Sequence, residues 1–281
     1  MENSIEIKGL CKQFKDFGLH QLDLNVPCGC IVGLVGENGA GKSTTIKLIL
    51  NMLHKDSGSI MLLGKDQTKE DMNVRENIGV VFDECCFPPE LNAVRLGKVM
   101  KEAYRQWDNE MYEGYLKQFE LPPKKTIGKF SRGMKMKLSI AVALSHHPKL
   151  LILDEATSGL DPVIRDDIID ILMDFTKEED HSVLISSHII SDLEKACDYI
   201  AFLHKGKLAL FEEKDRLYEQ YAAIHCSEQQ LSALDKSAVI GKKIGSFGAE
   251  AIVKKEAVPE GMQGYPIDIE KLFIFIVKEA G

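Results

Sequence analysis

The chain has 281 residues, 44% of them apolar and 28% charged, and its 35 basic and 43 acidic residues leave a net charge of −8. This composition excludes a disordered, collagenous or low-complexity chain, and the length predicts about two domains, or one large domain with an appendage. The acidic balance argues against nucleic acid or an anionic membrane surface as a partner.

The N-terminal Met-Glu-Asn-Ser has neither the basic segment nor the apolar stretch of a signal peptide. Ile5 to Leu10 and Leu22 to Val26 alternate like strands, and Cys28-Gly29-Cys30 reads as a turn. The 7 cysteines include no C-x-x-C pair, which points to reduced thiols in a cytosol. Ile31 to Val35 is a buried strand running into a glycine-rich turn. A helix is expected from Lys42 to about Met52, then strands at Ile60 to Leu63 and Ile78 to Phe82. The pattern becomes helical from Pro88, with Leu91, Leu96, Met111, Leu116 and Phe119 at helical spacing up to Pro122-Pro123. A further helix runs from Ser131 to about Ser145. Leu150 to Leu153 reads as a central parallel strand, Ile164 to Thr176 as a helix, and Val183 to Ser186 as a strand. Ile189 to Cys197 is then a helix, and Tyr199 to His204 and Leu208 to Phe211 are strands joined by the turn Lys205-Gly206-Lys207. Strands alternating with helices predict an α/β core. Beyond Asp215 we expect a helix starting at Arg216, several short strands and a final segment from Ile267 to Lys278. The strongest apolar run, Leu272 to Val277, is strand-sized, far below the roughly 18–20 residues of a membrane span.

Gly36-Glu37-Asn38-Gly39-Ala40-Gly41-Lys42-Ser43-Thr44 fits G-x-x-x-x-G-K-[ST] between a predicted strand and a predicted helix. Its glycines let successive N–H groups point into one concavity, and the helix N-terminus adds partial positive charge there. Lys42 then supplies a charge for the β- and γ-phosphates, and Ser43 a hydroxyl for Mg²⁺. The strand Leu150 to Leu153 ends in Asp154-Glu155. Adjacent side chains on a strand face opposite sides, so the pair is not one bidentate ligand, and the strand end can splay these acids into two roles: Asp154 holding Mg²⁺, directly or through water, and Glu155 orienting and polarising the attacking water. Ser131 reads as a helix N-cap, and Gly133 leaves the first helical turn open to an anion. His188 follows a strand of the same sheet, within reach of a γ-phosphate.

In this order the motifs resemble the ATP-binding subunit of an ABC (ATP-binding cassette) transporter. The resemblance covers residues 4–212: Walker A at Gly36 to Thr44, Walker B at Leu150 to Glu155, the signature at Phe130-Ser131-Arg132-Gly133-Met134, the D-loop at Ser158 to Asp161, and the switch histidine at His188. Two departures stand out. The usual L-S-G-G-Q is F-S-R-G-M, and Ala156 replaces the proline after the Walker B glutamate. Both variants are similar to bacterial ABC-2-type exporter ATPases of the antibiotic- and peptide-export kind, as is the tail from Pro266 to Lys278.

The resemblance implies an α/β P-loop NTPase cassette over 1–214, with a RecA-like mixed β-sheet core, an N-terminal antiparallel β subdomain and a helical subdomain at about 88–146. A small C-terminal accessory region, 215–281, follows. It further implies ATP and Mg²⁺ as ligands, bound by Gly36, Asn38, Gly39, Ala40, Gly41, Lys42, Ser43 and Thr44, with Ser43, Asp83 and Asp154 at the metal and Glu155 and His188 catalytic. Asp83 occupies the Q-loop glutamine position, with Glu84 as a second candidate. Phe14 sits where the family stacks an aromatic on adenine, with Phe17 as a substitute. Ser131, Arg132, Gly133 and Met134 act in trans on the ATP of a second cassette, in a homodimer or heterodimer, with Asp161 in the D-loop. A transmembrane permease is the other implied partner, gripped by the helical subdomain, with Tyr104 and Trp107 as candidate contacts; the implied location is the cytoplasmic face of a bacterial membrane. The alternatives are a non-transport ABC ATPase and a regulatory nucleotide-binding subunit.

Overall fold

The computed structural model describes residues 2–68, 71–245, 248–259 and 261–279. The chain opens with an antiparallel pair, β1 (Asn3–Gln13) and β2 (Gly18–Pro27), whose Ile5, Ile7, Leu22, Leu24 and Val26 face inward. The fully buried β3 (Ile31–Gly36) leads through the glycine-rich loop into α1 (Lys42–Ile49). That helix stops short of Met52, because Asn51 turns left-handed at φ 55°. β4 (Ser57–Leu62) pairs back on β1, and β5 (Lys65–Asp66) extends the edge, completing a sheet of order β2-β1-β4-β5. A short helix that the sequence did not suggest, α2 (Met72–Glu76), is capped by Asp71 and leads into β6 (Ile78–Val81).

Three helices follow: α3 (Ala93–Ala103), α4 (Asn109–Gln118) and α5 (Arg132–Leu144). Asn92, Asp108 and Ser131 cap them through side-chain oxygens that accept backbone N–H bonds. Tyr112 binds α4 to α3: its ring lies against Gly97, and its hydroxyl donates to Ala93 O at 2.9 Å. The chain then alternates through β7 (Leu150–Asp154), α6 (Pro162–Phe175), β8 (Ser182–Ser187), α7 (Ile190–Ala196) and β9 (Tyr199–His204) before turning into β10 (Lys207–Glu213). The central sheet has the order β10-β9-β3-β8-β7-β6; only β10 runs antiparallel to its neighbour. It is the expected mixed sheet; β3 and β7 are near-continuous apolar runs and β8 buries Val183, Leu184 and Ile185, because helices and the N-terminal sheet cover both faces. Its parallel strands all end at one edge, which receives the glycine-rich loop, Asp154, Glu155, His188 and, past β6, Asp83.

The last quarter holds α8 (Lys214–Gln220), β11 (Tyr221–Cys226), α9 (Glu228–Ser232), β12 (Val239–Gly245), β13 (Gly248–Lys254), β14 (Gly264–Tyr265) and α10 (Ile269–Glu279). The strands form an antiparallel sheet of order β12-β13-β11-β14. The run Leu272 to Val277 is helical, not a strand. Ile269, Leu272 and Phe275 are buried at intervals of one helical turn, a periodicity that so short an apolar run hides. Phe275 packs against Gly241 of β12, and the Phe273 ring lies 5.2 Å from Phe202 of β9. Tyr218 Oη and Ile269 N both donate to Glu194 Oε1 on α7, at 3.2 and 3.3 Å, so this region is bonded to the central core.

Candidate active site

The loop after β3 closes tightly on its surroundings. Gly41 opens α1 at φ 112°, and a Cβ there would lie 2.8 Å from Phe17 Cζ. Only glycine combines that backbone with that approach. Lys42 is 6% exposed; its Nζ donates to Gly36 O at 2.7 Å and lies 3.2 Å from Glu155 Oε1. Ser43 Oγ donates to Asp154 Oδ1 at 3.1 Å, and Ser186 Oγ donates to the same oxygen at 2.7 Å.

The two acids at the end of β7 do serve different partners, and the backbone shows how. Glu155 has φ 52°, an unfavourable value for a residue with a Cβ. Its N–H is held by both the carbonyl and the hydroxyl oxygen of Ser186, each at 3.1 Å. That twist brings its carboxylate to the same edge as Asp154, where Oε2 is 2.6 Å from His188 Nδ1. A carboxylate accepts, so Nδ1 carries the proton in this pair. Glu155 is thus shared between an ammonium and an imidazole.

A cavity of about 610 Å³ collects Asn38, Gly39, Gly41, Lys42, Ser43, Thr44, Asp83, Glu155 and His188. Gly36 and Ala40 are not among the lining residues but pack on each other within the loop, where a Cβ on Gly36 would lie 3.0 Å from Ala40 Cβ. Phe17 lines the cavity, whereas Phe14 stands outside it, 37% exposed and stacked on Phe17 at 6.2 Å between centroids. Arg132 and Ser158 also reach the wall. Ser131 instead caps α5 by accepting Met134 N at 3.2 Å, and Asp161 caps α6 by accepting Ile164 N at 3.1 Å. Gly133 packs against Ile164, whose Cδ1 would be 2.5 Å from an added Cβ, and Met134 leans on the core. Asp83 and Arg132 line a second cavity, of about 430 Å³, with Glu84 and Lys135. In the helical segment, Tyr104 stacks on buried His146 at 4.0 Å, and Trp107 leans on Tyr112 at 5.0 Å. Burial holds the His146 imidazole below its ordinary pKa.

The donor set suits a small hard cation. Ser43 and Asp154 offer oxygens, and no group of three or more His, Cys, Asp or Glu forms a cage among the described residues. Magnesium is commonly held in this way, by one or two protein oxygens together with substrate phosphates.

The family model described as ABC transporter matches residues 19–158. The bacitracin transport ATP-binding protein BcrA of Bacillus licheniformis is 34% identical over 237 residues, spanning 82% of this chain and 77% of BcrA. The chain belongs to the ABC transporter family. The family's ATP-binding protein YtrB of Bacillus subtilis (strain 168) is 29% identical over 268 residues, 91% of either chain, so the similarity extends into the C-terminal region. A solved ATP-binding subunit of an ABC transporter superposes with a TM-score of 0.70 at 27% identity, covering 76% of this chain and 92% of that one. Within the family this chain is an ATP-binding and ATP-hydrolysing subunit that powers a permease, and its fold is the cassette expected from the motifs.

Sequence reasoning passed over three residues of the site. Ser186, which holds both Asp154 and the Glu155 backbone, looks in the sequence like the polar end of an apolar strand. Asp16 and Glu37 also line the cavity, and nothing but their closeness to Phe17 and Gly36 marks them.

Proposed function

We propose that the chain drives export of a peptide or antibiotic-like amphipathic cargo through a separate membrane permease, working at the cytoplasmic face of the membrane. The ATPase part of this reading is carried by one observation: Lys42, Glu155 and His188 form a continuous chain of contacts at 3.2 and 2.6 Å beside the Ser43–Asp154 pair. The loop from Gly36 to Thr44 cradles the triphosphate, with Lys42 facing its outer phosphates. Glu155 orients and polarises the attacking water, and His188 fixes the carboxylate and reaches the γ-phosphate. Ser43, Asp154 and Asp83 would hold Mg²⁺, which when bound would neutralise charge on the phosphate oxygens. The aromatic pair Phe14–Phe17 offers the nucleobase a stacking face, Phe17 from inside the cavity.

The signature segment Ser131 to Met134, with Ser131 and Arg132 exposed, meets the ATP of a second cassette, as homodimer or heterodimer. ATP then acts as a ligand with higher affinity for the closed pair, and hydrolysis releases it. Residues 1–214 form the cassette and 215–281 an accessory region joined to it through Glu194 and α10. A groove of about 370 Å³ lined by Asn51, Arg75 and Tyr104 is suited to a helix of the permease. The export reading draws on the likeness to BcrA, whose name assigns it bacitracin transport.

The test is co-purification from detergent-solubilised membranes followed by reconstitution. We expect a polytopic membrane protein to accompany the chain, to raise its ATPase rate, and to move an amphipathic peptide out of ATP-loaded vesicles. A partner that lacks membrane spans, or uptake in the opposite direction, overturns the export reading.

A further inference from the structure

The phosphate loop contains an acid that triphosphate binding does not call for. Glu37 directly follows Gly36, its side chain is 56% exposed, and it lines the same cavity as Lys42 and Ser43. A carboxylate at that wall repels phosphate oxygens. Something must keep it out of their way.

The strand register supplies the means. β3 and β9 are parallel neighbours with Gly36 opposite Leu203. One residue further on, Glu37 follows the end of β3 and His204 closes β9, and His204 Nδ1 is 3.4 Å from Glu37 Oε2. His204 is only 7% exposed, yet neither of its ring nitrogens has a hydrogen-bond partner, so the 3.4 Å contact is close without being aligned. Buried polar atoms are nearly always paired, and an unpaired one costs stability. A donor lacking an acceptor thus lies beside a carboxylate that the cavity does not need.

The hairpin that starts at His204 already grips the nucleotide site elsewhere. Its turn residues Lys205 and Gly206 have φ of 45° and 74°, the pattern of a tight two-residue hairpin. Gly206 N donates to Ala40 O of the phosphate loop at 3.0 Å, and Gly206 O accepts from His20 N at 2.9 Å, three residues beyond Phe17. The backbone on both sides of the cavity is tied to this turn. The freedom that remains is in the Glu37 side chain.

We infer that His204 is a positioning residue for ATP binding. Incoming phosphates push the Glu37 carboxylate away from the cradle and onto His204 Nδ1–H, and the 3.4 Å contact tightens into a hydrogen bond. The hydrogen bond holds the carboxylate away from the phosphate oxygens and stiffens the loop around its ligand. This inference rests on residues 36–44 being the phosphate cradle.

The experiment is equilibrium binding of Mg-ATP to the full chain in a double-mutant cycle. His204→Phe, which keeps the ring volume and removes the donor, should weaken binding about tenfold, the size of a hydrogen bond to a charged group. His204→Asn, whose amide nitrogen falls near the Nδ1 position, should restore binding to within about threefold. In a Glu37→Gln background, His204→Phe should have no further effect, because no carboxylate is left to hold. Equal losses from His204→Phe in both backgrounds, or no rescue by asparagine, overturn the inference. Should the histidine variants fail to fold, the wild-type chain decides: the His204 Nδ1–H proton resonance should move downfield when Mg-ATP is added, and an unchanged resonance overturns the inference. Lys42→Ala separates the two levels. If that variant binds ATP as wild type does, the cradle itself is misassigned; if it does not while the cycle shows no coupling, only the Glu37–His204 pair fails.

Discussion

At the ends of β3, β7 and β8 the charged groups face one another: Lys42 meets Gly36 O and Glu155, Glu155 meets His188, and Asp154 accepts from two hydroxyls. At the start of α5 the picture reverses. Ser131 bonds only within its own helix, and exposed Arg132 has no hydrogen bond or ion pair among the described residues. The first region is organised before any ligand arrives, which lowers the reorganisation needed during reaction. The second offers donors pointing outward, so its proposed role depends on something brought to it. Single substitutions should therefore impair either region, but only experiments that control pairing should show that the second acts across chains.

The largest effect is expected from Glu155→Gln. The amide keeps the size of the side chain but removes the base, so ATP hydrolysis should fall by about a hundredfold or more. ATP binding should survive, because Lys42 still donates to Gly36 O, and the neutral amide adds no repulsion toward phosphate. Phosphate release and equilibrium nucleotide binding, measured on the same preparation, check both halves. Turnover within about tenfold of wild type would contradict the role proposed for Glu155.

The signature region calls for a mixing experiment. A Lys42→Ala chain and a Ser131→Arg chain should each hydrolyse little ATP alone. In a mixed dimer, one composite site combines the intact phosphate loop of the second chain with the intact signature of the first, and activity should return. Mixed dimers verified by native mass spectrometry that stay inactive would count against a site shared between chains. This prediction sharpens the contrast directly: Glu155→Gln should be rescued by the Ser131→Arg chain in the same way, whereas mixing Glu155→Gln with Lys42→Ala should restore nothing, because both changes damage the same half of the site.

Much of this contrast was legible before the fold was known, for physical reasons that differ by residue. The loop from Gly36 to Thr44 is contiguous, and its context of strand then helix follows from local periodicity. Ser131 announces an N-cap because capping is a short-range effect. Asp154 and Glu155 could be assigned separate partners, but not the left-handed turn at Glu155 that serves both, because that turn depends on Ser186 from a neighbouring strand. Phe14 and Phe17 are equivalent in a sequence. Only the approach of β2 to Gly41 brings one of them to the cavity and leaves the other at its margin. The helix α10 was obscured for another reason: a six-residue apolar run carries too few turns to reveal its period.

Asp83 belongs to both regions, and it supplies the smallest effect and the finest test. It lies in the loop after β6 and lines the phosphate cavity with Lys42 as well as the second cavity with Lys135; Arg132 borders both. Its Oδ1 accepts Glu84 N at 2.9 Å, which anchors one oxygen and leaves the other for a cation. A carboxylate binds Mg²⁺ at least as well as the neutral amide oxygen that a glutamine would offer, and without the metal it repels phosphate. Nucleotide engagement should then depend more steeply on Mg²⁺ than it does in Asp83→Gln. In Asp83→Ala, half-maximal ATPase activity should need several-fold more Mg²⁺, up to about tenfold, the scale on which groups supporting a metal site act. The loop also joins the sheet to the helical segment, so the alanine variant should lose part of any stimulation by a permease. ATPase titrations against Mg²⁺, with and without the co-purified membrane partner, measure both. If the alanine and glutamine variants follow the wild-type curve in both conditions, Asp83 is a solvated loop acid, and the link between the two regions must run through Arg132 alone.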